Sequence, residues 1–130
     1  MATFEINGDA IDSITSFYAE VNRVFTADED WQLSESLDAF NDLLYGGFGA
    51  MPSDGEAQLV WHNIEAAREA LGVEATREWL QAKLDDPARR FNQESIQRDL
   101  DALSAGEGET YFDIIMQIIA DHPRVHLVER

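Results

Sequence analysis

Cysteine is absent from the 130-residue chain, which excludes disulfides, thiolate metal sites and a thiol nucleophile, and leaves the redox compartment open. Lysine is nearly absent too, with Lys83 alone, so that 9 basic residues face 26 acidic ones and the formal net charge is −17. Long apolar runs are missing: the greasiest stretch, Ile114 to Ile119, is interrupted by Gln117 and falls far short of the roughly 18 residues of a membrane span. The start, Met1 to Ile6, has no basic flank leading into an apolar segment, and a cytoplasmic protein is the expectation. The histidines, His62, His122 and His126, are scattered, and Pro123 keeps the last two from sharing a helical face as a zinc pair would. No Gly-x-Ser-x-Gly elbow occurs, and the glycine-rich stretch from Gly46 to Gly55 lacks the lysine of a phosphate loop.

What remains suits a single folded domain over residues 1–130, with 45% hydrophobic residues and three Trp, three Tyr and seven Phe. A field this negative repels nucleic acid and anionic membranes and speeds encounter with basic proteins. The competing explanation for the acidity is solubility alone, as in salt-adapted proteins.

Along the chain, Thr3 to Ile6 reads as a strand closed by Asn7-Gly8. Asp12 or Ser13 caps a helix carrying Ile14, Phe17, Val21, Val24 and Phe25, which ends near Thr26 before an acidic loop. Gln58 to His62 reads as a second strand covered on both faces, and Asn63 as the cap of a helix through Leu71. Val73 to Leu84 and a segment opening at Asn92 or Gln93 read as two more helices, separated by Asp85-Asp86-Pro87 and the basic pair Arg89-Arg90. Thr110 caps a last helix with an apolar stripe of Tyr111, Ile114, Ile115, Ile118 and Ile119, and Val125 to Glu129 alternates as a final strand. Strands alternating with helices predict an α/β layer structure with parallel strands.

One stretch stands out, Trp31 to Gly47. From about Ser36, helical spacing gathers Leu37, Phe40, Leu43 and Leu44 on one side and Asp38, Asn41, Asp42 and Tyr45 on the other. Ser34 or Ser36 supplies the cap and Gly46 the left-handed stop, and Glu35 adds a third acid if the helix starts early enough. The outer face holds carboxylates, an amide and a phenol with no cation. Acids early in a helix also favour its macrodipole, which is the plain structural reason for some of them. Carboxylates four residues apart could instead share a Mg²⁺ ion with Glu35 or act as an acid and base pair, but outward positions do not supply the burial that catalysis needs.

The string Leu37-Asp38-Ala39-Phe40-Asn41-Asp42-Leu43-Leu44-Tyr45-Gly46 resembles the second helix of the barstar family of ribonuclease inhibitors. Phe4 to Gly8 resembles that family's first strand and turn, Leu59-Val60-Trp61 its second strand, and the last helix with Val125 to Val128 its third. The resemblance implies a three-stranded parallel sheet packed with helices, no enzymatic activity, no cofactor or metal, and a protein that blocks a basic ribonuclease inside the cell. It implies that Asp38 and Asp42 are the family's paired aspartates, the second entering the enzyme's phosphate site. Tyr45 falls at a contact position near the helix end, Asn41 where barstar has tryptophan, and Gln32, beside Trp31, at a contact tyrosine. An acidic contact from the last helix would fall near Ile118 or Ile119, where this chain is apolar, and is not carried over. Residues 73–107 contain a helical pair inserted relative to the barstar pattern.

The resulting expectation is a cytoplasmic inhibitor or immunity protein, monomeric when free, that binds a basic secreted or toxin-type nuclease through Glu35, Asp38, Asn41, Asp42, Tyr45, Gly46, Gln32 and Trp31. Its rivals are a barstar-fold module that binds another basic protein and, behind it, a carboxylate metal-dependent enzyme.

Overall fold

The computed structural model describes residues 1–47 and 49–130. Three parallel strands, β1 (Ala2–Asn7), β2 (Ala57–His62) and β3 (Val125–Glu129), form one sheet in the order β1-β2-β3. Six helices connect them: α1 (Ile14–Phe25), α2 (Leu37–Tyr45), α3 (Ile64–Ala70), α4 (Val73–Leu84), α5 (Gln93–Ser104) and α6 (Tyr111–Ala120). The α/β class, the parallel sheet and the helices between its strands agree with the expectation.

Register explains why one sheet face is covered. Phe4 pairs with Leu59 and Leu59 with Leu127, while Ile6 pairs with Trp61, so the period of two places these apolar side chains on the same side. Onto Trp61 stacks Phe17 of α1, ring centroids 6.1 Å apart, and Phe40 of α2 meets Phe17 edge-on at 5.4 Å. Phe112 of α6 also packs against Trp61, edge-on with ring centroids 6.0 Å apart. A single aromatic column thus fixes α1, α2 and α6 relative to the central strand. Val60 is also buried, on the opposite face, as expected from three successive apolar residues in β2.

Local caps set most boundaries. Ser13 and Ser16 form a reciprocal capping box at α1, Thr110 and Asp113 do the same at α6, and Asn92 Oδ1 accepts from Ser95 N–H at 3.1 Å to open α5. Asn63 departs from its expected role. It precedes α3 but adopts left-handed backbone, φ 47°, and its amide donates to Asp9 across the chain instead of capping. Val73, which helical spacing puts on one side of α4 with Thr76, Trp79, Leu80 and Leu84, is exposed at the helix start.

Helices α4 and α5 enclose a small core of their own, Leu80, Ile96, Leu100 and Leu103. Trp79 links it to the main core by packing edge-on against Tyr111 at 4.8 Å.

Candidate functional site

The acidic helix is fastened at both ends. Ser36 lies in extended backbone, φ −143° and ψ 133°, and its hydroxyl accepts from Ala39 N–H at 3.3 Å. The helix therefore begins at Leu37, and Glu35 lies before it rather than within its first turn, where Glu35 Oε1 accepts from Thr15 Oγ1 at 2.8 Å. At the far end Gly46 takes φ 89°, and a Cβ there would overlap the Pro52 carbonyl and the Arg124 guanidinium. That guanidinium comes from the turn between α6 and β3. Its Nη2 donates to the carbonyls of Leu44 (3.2 Å), Tyr45 (2.5 Å) and Pro52 (2.8 Å), and its Nη1 donates to Gly55 (3.0 Å). A cation thus sits where the last carbonyls of α2 lack intrahelical donors and carry partial negative charge.

The loop after the helix is likewise tied down. Gly47 N–H donates to Met51 O at 3.2 Å, Ala50 N–H to Phe25 O at 2.8 Å, and Met51 is buried. Phe48, part of the expected glycine-rich loop, lies outside the described residues.

Phe40, Leu43 and Leu44 are buried, and Leu37 packs half-buried against the same core. Asp38 and Asp42 are exposed, four residues apart and hence on the same side of α2. Among the described residues, neither carboxylate forms a hydrogen bond or ion pair. Tyr45 is 65% exposed.

Asn41 differs from the outward group predicted for it. It is half-buried, and its Oδ1 accepts from Nε2–H of the buried His122 at 2.7 Å. The same imidazole meets the Tyr45 ring edge-on, centroids 4.6 Å apart. Burial holds the His122 pKa below the ordinary histidine value and Arg124 adds to this, while Asp121 opposes it. The neutral ring is therefore a support beneath the exposed face, set against Asn41 and Tyr45.

Trp31 and Gln32 lie on the segment that precedes the helix. That segment is held against α1, because Asn22 Oδ1 accepts from Leu33 N–H at 2.7 Å and Asn22 Nδ2 donates to Leu33 O at 3.3 Å. Gln32 is exposed; Trp31 is half-buried and packs on the main core. Asp38, Asp42 and Tyr45 thus share the outer side of α2, Asn41 and Gly46 are structural neighbours of that side, and Trp31 and Gln32 line a separate hollow with Arg23 and Thr26 of the α1 region.

Arg124 and His122 were not among the expected site residues. Neither carries a local signal, since each acts on residues about 80 positions earlier (|i−j| of 80 and 81). Among the described residues no three His, Asp or Glu side chains converge as a metal-binding group, so Glu35, Asp38 and Asp42 do not assemble the Mg²⁺ site considered as an alternative. No helix among the described residues is long and apolar enough to cross a membrane.

The family whose sequence pattern is described as "Barstar (barnase inhibitor)" matches residues 1–103. The chain belongs to the barstar family. The match runs from β1 almost to the end of α5 and includes the whole acidic helix, while α6 and β3 lie beyond it. No curated protein matches the chain at a significant level. A barstar domain indicates a role of the ribonuclease-inhibitor type, with a ribonuclease as the kind of protein it binds, and the family is one of inhibitors rather than enzymes.

Proposed function

We propose that this barstar-family protein is an intracellular immunity protein that blocks a basic ribonuclease by presenting Asp38 and Asp42 as mimics of RNA phosphates. The observation that carries the reading is the exposure of both carboxylates on the same side of a helix braced at both ends, with neither consumed by an ion pair among the described residues. A ribonuclease binds phosphate with cationic and hydrogen-bonding groups, and rigid carboxylates at phosphate positions accept charge-assisted bonds from the same donors. Bracing matters because a contact that is already ordered costs less entropy to make. Asp42 is assigned to the phosphate site, Asp38 to a cation beside it, and Tyr45 to the rim. Glu35, Gln32 and Trp31 flank this surface and Asn41 and Gly46 shape it. Strong coupling between close charge pairs is an established property of the barnase–barstar complex.

Titration of a basic ribonuclease with wild-type protein, Asp38→Ala, Asp42→Ala and Glu109→Ala tests the assignment. Both helix variants should inhibit at least tenfold more weakly while Glu109→Ala matches wild type, a loss of about 1.4 kcal/mol or more for each helix carboxylate. Equal inhibition by all four proteins would reject α2 as the site. Capture of a basic protein without nuclease activity, through Asp42, would instead make the chain a binding module of the same fold.

A further inference from the structure

A cleft opens beside the start of α2, between that helix and α4. It has a volume of about 730 Å³ and is lined by Glu35 and Asp38 from the α2 end and by Trp79, Lys83, Phe91 and Arg90 from α4 and the segment after it, Arg90 being paired with Asp86 at 2.9 Å. Lys83, the sequence's one lysine, has a built position: its Nζ stands 3.9 Å from the centre of the Trp79 ring and 5.1 Å from that of Phe91. Trp79 is in turn fixed against the buried Tyr111. Ring faces hold an ammonium in place without neutralising it. Burial lowers the Lys83 pKa, while the carboxylates of Asp99 and, behind it, Asp38 oppose this; Lys83 and Asp38 line the same cleft.

We propose that Lys83 sets how strongly Asp38 engages the partner: held over Trp79 and Phe91 in the cleft that Asp38 borders, its ammonium competes with a partner's arginine or lysine for that carboxylate. Asp42 lies outside the cleft lining. The consequence is selectivity. A nuclease with its main cation opposite Asp42 is accepted, whereas one that relies on Asp38 is disfavoured. This inference rests on the inhibitor reading, and it assigns the α4–α5 region a part in partner choice.

Lys83→Met removes the charge and keeps the stem over Trp79. Its affinity should be read against a basic ribonuclease and, independently, against a hexa-arginine peptide followed by the backbone amide signals of Asp38 and Asp42. Binding should tighten about two- to fivefold, the range of one exposed charge pair. The peptide should gain at Asp38 and not at Asp42. Arg98→Met, which loses the same charge from an exposed position on α5, should gain less. In an Asp38→Asn background the Lys83→Met gain should vanish. Weaker binding by Lys83→Met would overturn the proposal, since the lysine would then be a direct contact to a partner's acid. So would an equal gain from Arg98→Met, or a gain that survives Asp38→Asn. If no basic ribonuclease binds while the peptide result holds, the inhibitor reading fails and the Lys83 effect stands. If the peptide result fails, the Lys83 effect fails whatever the nuclease does. Lys83→Gln gives the same comparison should the methionine variant not fold.

Discussion

Arg124 bonds four carbonyls, two at the end of α2 and two in the loop that follows, so it joins the acidic helix and that loop to its own α6–β3 turn. Arg124→Ala leaves those carbonyls without their donor and should lower stability by about 1.5–3 kcal/mol in urea denaturation, the range of hydrogen bonds to a charged group. Arg124→Lys should recover only part, because one ammonium cannot reproduce the planar fork. Full recovery by lysine would mean that charge alone fixes the helix end. His122 supplies a pH dependence. Its folded pKa is held below the ordinary value of about 6.5, chiefly by burial, so the unfolded chain takes up the proton first. Its contribution is therefore intact above about pH 6.5 and is lost as pH falls through the folded pKa. The stability gap between wild type and His122→Gln, measured by urea midpoints at pH 7.5 and pH 5, should shrink at the lower pH. A constant gap would show that the ring is not buried neutral against Asn41.

At the scale of elements, the packing of α1 on α6 turns on two tyrosines. The hydroxyls of Tyr18 and Tyr111 lie 2.5 Å apart in the core, and burial raises the pKa of both. Tyr111→Phe strands the Tyr18 hydroxyl and should cost about 1–3 kcal/mol, whereas the double change to phenylalanine should cost less than the two single changes summed. Additive losses in thermal unfolding would show that the two hydroxyls do not depend on each other. These helices were legible before any coordinates because their signals are local: Ser13, Ser36, Asn92 and Thr110 are capping residues placed just ahead of apolar periodicity. Asn63 has the same residue type but a left-handed backbone and a distant acid, Asp9, that redirects its amide. Asn41 is half-buried for a related reason. Helical spacing puts it on the outer side, but the α6–β3 turn covers that flank with His122, and nothing within α2 announces it. Glu35 fell outside the helix because Ser36, not Ser34, is the cap.

For the whole molecule, the formal charge of −17 creates a field that reaches farther than any single contact. Association with a basic nuclease should slow steeply between about 0.01 and 0.1 M salt, as the screening length contracts from about 30 to about 10 Å, while dissociation changes little. Stopped-flow mixing measures both, and an association rate indifferent to salt would remove steering from the account. The charge is plain from composition, and the outward aspartates from helical spacing along α2. The support behind them is not, because Arg124 and His122 reach α2 only through the fold. The central claim is that Asp42 occupies the place of an RNA phosphate, and competition tests it most directly: the affinity of wild-type protein and of Asp42→Ala for a basic ribonuclease is measured while a mononucleotide that fills the enzyme's phosphate site is raised in concentration. The apparent Kd of wild type should rise in proportion to mononucleotide, and that of Asp42→Ala should respond much less. Unhindered simultaneous binding of wild-type protein and mononucleotide would contradict the account.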